Sequence, residues 1–219
     1  MIMIQFKQLI QGLNVRPTIG AFGYASVVLI TDKEENILFD TGGYGVRSYI
    51  KKLLEEIKID KVFISHLHFD HCSNMDLFPD TPIYIHQHEV DFLNSSEVQK
   101  DIDTFLPVKE YLKKLNIQTF ISEQNISKQV KIIPTIGHTI GHSSLGFEFE
   151  NNKAILAGDA LKTYQDFLQE EYVQNAYNKE WAKKSKDFIK DNFNIIIPGH
   201  SGIIKDGNIL DAKINLTYF

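Results

Sequence analysis

The sequence predicts an α/β protein in which helices cover the outer faces of layered strands. Three observations predict it. Short aliphatic, β-branched runs recur along the chain, amphipathic helical patterns alternate with them, and chemistry-bearing residues fall just past the strand ends.

Residues 2–10 are apolar enough for an early or edge strand. Residues 26–31 and 36–40 are β-branched and aliphatic, separated by a charged turn, which predicts a hairpin. Gly42, Gly43 and Gly45 then punctuate the chain before a helix. Its apolar face is expected to carry Val46, Tyr49, Ile50, Leu53, Leu54 and Ile57, with Lys51, Lys52, Glu55 and Glu56 turned away. A buried strand over 61–65 runs straight into residues 66–71, and a strand over 83–86 follows. Val108, Tyr111, Leu112 and Leu115 mark another helix, and strands are expected at 117–121, 130–135, 144–149 and 153–157. A last helix is expected to bury Trp181, Ser185, Phe188 and Ile189, before a strand over 195–197 that ends in Pro198, Gly199 and His200.

The 219 residues, 43% of them hydrophobic, suit one compact domain spanning 1–219, since no Gly/Ser/Pro-rich linker or charge block divides them. A net charge of −5 without a basic run argues against nucleic acid as the principal partner. The single cysteine, Cys72, excludes an internal disulfide and fits a reducing compartment. The opening residues lack the basic region, apolar core and cleavage site of a leader, and no run approaches the roughly 18 apolar residues of a span. These features set the expectation of a soluble, cytoplasmic protein acting on a small molecule; they leave oligomeric state open.

The densest chemistry lies in His66, His68, Asp70 and His71, four donors within six residues. A lone His-x-His pair means little, but four donors leaving one strand end point to metal: neutral imidazole suits zinc, and a carboxylate offsets dication charge. Further strand ends supply His138 or His142, Asp159 and His200. On chemistry alone either His138 or His142 is an acceptable donor.

Residues 65–71 match the His-x-His-x-Asp-His signature of the metallo-β-lactamase superfamily, and Gly137-His138-Thr139, Gly158-Asp159 and Pro198-Gly199-His200 follow in the family's order. Asp40-Thr41-Gly42 resembles its early Asp-Thr-Gly motif, and the likeness runs over about residues 20–205. The resemblance implies a four-layer αβ/βα sandwich with the metal site in the cleft between the sheets. It further implies one ion on His66, His68 and His138, a second on Asp70, His71 and His200, and Asp159 bridging both. The implied activity is dinuclear hydrolysis, in which a hydroxide held by the ions cleaves an ester-like bond (lactone, thioester or phosphodiester) and Asp70 orients the nucleophile and relays its proton. Two Zn²⁺ are expected, with Mn²⁺ or Fe²⁺ compatible with the same N/O donors. The competing reading is a non-catalytic or redox metal-binding protein on the same fold. Against redox, the related diiron flavoproteins carry glutamate where His68 stands.

Within the superfamily, Asn74 to Pro79 and the pattern from Trp181 to Ser201 resemble the small group of metallo-β-lactamase-domain-containing protein 1. The run from Ser65 to His71 also resembles homoserine-lactone lactonases, but those carry a tyrosine three residues after the bridging aspartate, where Lys162 stands here.

Several residues carry secondary expectations. Asp40 is expected to hydrogen-bond the far nitrogen of a ligating histidine rather than serve a simple turn. His142 divides between packing and the substrate side. His86 and His88 are expected to be a solvated strand-end pair. Cys72 is expected to be structural, lacking an adjacent base. Lys162 and Tyr164 on one side, with Phe22 and Tyr24 on the other, are candidates to overhang the cleft.

Overall fold

The computed structural model describes residues 4–15, 22–33, 35–172 and 175–210. The first half contains β1 (Gln5–Ile10), β2 (Leu13–Val15), β3 (Phe22–Tyr24), β4 (Val27–Asp32), β5 (Glu35–Phe39), α1 (Arg47–Leu53), β6 (Lys61–Phe63) and α2 (Phe69–Cys72). It ends with β7 (Ile83–His86), α3 (Gln87–Asn94), α4 (Val108–Leu112) and β8 (Ile117–Phe120). The second half contains β9 (Gln124–Asn125), β10 (Val130–Pro134), β11 (Ser143–Phe149), β12 (Asn152–Gly158), α5 (Tyr164–Leu168) and α6 (Lys179–Asn192). The strands β13 (Ile195–Pro198), β14 (Ile204–Lys205) and β15 (Asn208–Ile209) complete it.

Among the described residues, six strands pair in the order β1-β4-β5-β6-β7-β8 and seven in the order β15-β14-β13-β12-β11-β10-β9. In the first sheet β5, β6, β7 and β8 run parallel, joined by helical crossovers, while β1, β4 and β5 pair antiparallel. In the second, β12 and β13 are the one parallel pair, with α5 and α6 between them in sequence. The expected hairpin is present, with Val28 opposite Phe39 and Ile30 opposite Ile37.

Alternation along the strands produces the layers. Val28, Ile30, Ile37, Phe39 and Phe63 meet Ile132, Leu145, Phe147, Leu156 and Ile197 in the core between the sheets. Their neighbours Val27, Leu29, Leu38, Val62 and Ile83 face the other way, onto Ile50 of α1, Leu93 of α3 and Val108 of α4. On the far side, Ile155, Ala157 and Ile196 face Ile189 of α6. Helices, sheet, sheet and helices are four layers, each sheet apolar on both faces, and this is the αβ/βα sandwich.

Two helix faces differ from the sequence expectation. Tyr49 is exposed, because α1 is short and buries chiefly Ile50. In α6 the buried stripe is Ala182, Lys186 and Ile189, while Trp181 and Phe188 lie on the flank, 38% and 42% exposed. A lysine in a buried stripe defeats an apolar count, and its ammonium here finds backbone partners instead of water. The helix α3 and the short β14–β15 hairpin have no counterpart in the sequence reading.

Candidate metal centre

All the donor loops leave one edge of the sandwich. The strand β6 ends at Phe63, and the chain turns through His66 and His68 into the one-turn helix α2, which carries Asp70 and His71. Residues 135–142 link β10 to β11 and bring in His138; Asp159 starts the turn after β12; His200 follows β13. The last two loops abut so closely that a Cβ on Gly199 would lie 2.0 Å from Asp159 Oδ1. Gly158 has φ +52°, a backbone that only glycine adopts without strain, and it delivers Asp159 past the His142 ring.

Three groups of donor atoms lie within 4.8 Å of one another: His66, His68 and His138; His66, His71 and Asp159; Asp70, His71 and His200. Asp159 spans the first and third groups. Its Oδ1 is 3.4 Å from His71 Nε2 and 3.3 Å from His200 Nε2, and its Oδ2 is 3.4 Å from His138 Nε2. Asp70 Oδ2 is 3.3 Å from His200 Nε2. The fold thus brings the seven expected donors together.

Each of the five histidines has one ring nitrogen engaged away from the centre. His71 Nδ1 is 2.7 Å from Asp40 Oδ2, as expected of Asp40, and Asp40 also accepts from Ser65 N and Oγ. Because the Ser65 hydroxyl donates to Asp40, its oxygen accepts from His66 Nδ1 at 3.0 Å. His68 Nε2 lies 3.1 Å from Asp101 Oδ2, His138 Nδ1 3.1 Å from Asn175 O and 3.0 Å from Tyr172 Oη, and His200 Nδ1 3.3 Å from Leu13 O. Acceptors at those positions fix the tautomers and leave lone pairs on the other nitrogens. His138 Nε2 and His68 Nδ1 then face each other at 3.2 Å, two lone pairs in opposition.

The opposite nitrogens fit a cation. Buried Nε2 of His66, His71 and His200 and Oδ1 of Asp159 have no hydrogen-bond partner, while Asp159 Oδ2 is paired with the Lys162 ammonium at 2.8 Å. An orphaned buried polar atom costs about 1–3 kcal/mol, so four of them clustered among these donor groups fit a bound cation. Burial pushes the pKa of His66 and His138 well below the usual histidine range, keeping them neutral donors. Burial opposes the charge on Asp159, but Lys162, His200 and His71 outweigh it and hold the carboxyl well below its usual range. Imidazoles with carboxylates are a donor set for zinc and neighbouring divalent metals.

Other sequence candidates are also located. Lys162 belongs to the site, its Nζ 2.8 Å from Asp159 Oδ2. Tyr164 does not line it: its hydroxyl donates to Gly207 O and its ring packs on Phe167. Tyr24 packs against the helix-side core, and the side chain of Phe22 lies outside the described residues. His142 is fully buried and resolves to a packing role: Nδ1 bonds Thr135 Oγ1, Nε2 accepts from Asp159 N, and its pKa falls to about 3. The solvated pair at 86 and 88 is half wrong. His88 is exposed, but His86 is buried and caps α3, its Nδ1 accepting from His88 N. Cys72 is buried, and burial pushes its thiol pKa well up.

Sequence reading missed Asp101, Tyr172 and Glu89. Glu89 is buried and joins two donor loops, accepting from Leu67 N at 3.0 Å and Gly141 N at 2.8 Å. None sits in a motif; the one available signal was an acidic residue directly after His88. Beside the centre a cavity of about 560 Å³ opens on His68 and His138, walled by Phe92, Asp101, Ile102 and Tyr177.

A sandwich of this layering, with histidines and carboxylates converging at one edge, has the donors to hold metal there. The chain belongs to the metallo-beta-lactamase superfamily, whose family model matches residues 20–200. It is 30% identical over 145 residues to an N-acyl homoserine lactonase of Bacillus thuringiensis, covering 64% of this chain and 54% of that one. The chain thus spans about half the length of the curated lactonases it matches. Its fold is shared with a probable metal-dependent hydrolase from Staphylococcus aureus (TM-score 0.72, 16% identity, 97% of each chain covered). It is shared too with an N-acyl homoserine lactone hydrolase carrying N-hexanoyl-L-homoserine at its catalytic metal centre (TM-score 0.70, 21% identity, 91% and 93% covered). Among the described residues no helix is long and apolar enough to cross a membrane.

Proposed function

We propose that this chain is a dinuclear metal-dependent hydrolase that cleaves an ester-like bond, a lactone or open ester foremost, in a small substrate. The observation that carries the reading is the set of buried, unpaired donor atoms: Nε2 of His66, His71 and His200 and Oδ1 of Asp159. In this reading His66, His68 and His138 hold one ion, Asp70, His71 and His200 hold the other, and Asp159 reaches both. Zinc is the metal best matched to the donors. Two bound dications would supply Lewis acidity, acidifying a water and polarising the scissile carbonyl.

The chain's own residues do the rest. Asp70 is the partly exposed carboxylate of the cluster, its side chain 15% accessible, so it can reach a water, orient it and take up its proton. Lys162 keeps an ammonium against Asp159 Oδ2, adding positive charge where an oxyanion develops. Phe92, Ile102 and Tyr177 give the adjoining cavity an apolar wall suited to an acyl or aryl group. The similarity to lactonases favours a lactone.

The test is metal analysis of protein purified without chelator, together with assays on lactone, thioester, phosphodiester and β-lactam substrates. About two zinc ions per chain are expected, with turnover of one ester class that chelation abolishes and zinc restores. Turnover that survives in metal-free protein would sink the reading.

A further inference from the structure

The segment that follows Asp159 is pinned from outside the site. Thr163 and Asp166 form a reciprocal capping box at the start of α5. From α6, the fully buried Lys186 sends its ammonium into three backbone carbonyls: Glu171 O at 2.7 Å, Gln169 O at 3.0 Å and Asp166 O at 3.4 Å. One turn on, Lys190 Nζ donates to Phe167 O at 2.8 Å. A buried ammonium is tolerated only when its protons are satisfied, so Lys186 and the carbonyls require one another. The residue after Glu171 is Tyr172, 5% exposed and turned to the metal centre. Its hydroxyl donates to Asp159 O at 2.9 Å and lies 3.0 Å from His138 Nδ1. With its proton on Asp159 O, the phenol oxygen shares the proton of His138 Nδ1 with Asn175 O.

We propose that Tyr172 is a positioning residue of the metal centre, and that Lys186 holds it in place through the carbonyls of 166–171. One phenol links two donor residues from different loops, orienting the His138 ring so that Nε2 faces His68 Nδ1 and steadying the backbone from which Asp159 projects. Tyr172 touches neither the donor-side nitrogen of His138 nor the Asp159 carboxylate, so its effect is on geometry. The proposal rests on the ligand set proposed above.

The experiment is titration of metal-free protein with Co²⁺, read by visible absorption and by competition with a chelator, in wild type, Tyr172→Phe and Lys186→Met. The band belonging to the first ion is the one that His68→Ala removes. Tyr172→Phe keeps the ring and its packing, so folding is preserved. It is expected to weaken the first ion by roughly 10–100-fold and shift its band, the size usual for loss of a hydrogen bond to a ligating histidine. The second ion's band, which loses no histidine contact, should move less. Lys186→Met is expected to move the first ion in the same direction. Wild-type affinities and bands in Tyr172→Phe would overturn the proposal even if that variant melts lower, and unchanged affinity in Lys186→Met would overturn the role of Lys186. Wild type that takes up no cobalt would overturn the ligand set itself, and the inference with it, which separates the two failures.

Discussion

At the residue scale, each histidine of the centre is committed on one nitrogen, and the committing partner is a separate decision of the fold. Asp40 shows this most clearly. It sits at φ 58°, a left-handed backbone uncommon for a non-glycine residue, and from there reaches His71 Nδ1 and two donors of Ser65. Asp40→Ala is therefore expected to lose about 10–100-fold in affinity for the ion held by His71, measured by chelator competition. Cys72, next in sequence to His71, presents the opposite case. It is buried, with its thiol proton held, so a thiol reagent at neutral pH should label the native protein negligibly and label it fully in denaturant. Rapid native labelling would contradict the packing around α2.

At the element scale, the helix α3 does two jobs that depend on its first turn. His86 caps it as a neutral acceptor, and burial together with the neighbouring His88 lowers its pKa to about 4 from 6.5. The folded value lies below the unfolded one, so falling pH protonates the unfolded chain first. Stability from this group is complete above about pH 6.5 and is lost as pH falls toward 4. His86→Asn keeps a capping oxygen without the titration. Between about pH 7 and about pH 5 the wild type should lose roughly 1–2 kcal/mol more than the variant in urea unfolding. Further along that turn, Glu89 ties Leu67 N to Gly141 N. Glu89→Leu leaves both N–H groups buried and unpaired at a cost of about 1–3 kcal/mol each. It should lower both the melting temperature and the first ion's occupancy, since the two loops it joins carry His66, His68 and His138.

At the scale of the whole molecule, the sandwich brings four loops to one edge and leaves several buried donor atoms there unpaired. Such a centre is stabilised by whatever binds it. Metal that binds only the folded state adds RT ln(1 + [M]/Kd), about 4 kcal/mol at a thousandfold excess over Kd. Chelation should therefore lower the thermal midpoint by several degrees and zinc should restore it, read by calorimetry. A midpoint indifferent to metal would mean that the donor atoms are satisfied some other way. Mutations in the core between the sheets should act differently. Leu156→Ala, beneath the turn that carries Asp159, is expected to cost about 2–5 kcal/mol while leaving metal stoichiometry at two.

The sequence by itself determined most of the strand and helix pattern and the crowding of candidate donors at strand ends, and its motifs carried the resemblance that implied four layers. Those features are local: alternation puts every second residue of a strand on one face, and ligands crowded into one turn keep their spacing whatever else surrounds them. Tertiary structure supplied the physical reason to prefer His138, the residue the resemblance implied, because only packing shows His142 spending both nitrogens on Thr135 and the Asp159 backbone. It alone turned the α6 stripe onto Lys186, whose burial depends on carbonyls 15 to 20 residues away in the chain. It alone revealed Asp101, 33 residues from His68, and Tyr172, 34 residues from His138, as the partners of those rings. Hydrogen bonds across such separations leave no period or motif in a sequence, because the chain between the partners is free to vary as long as the fold closes it.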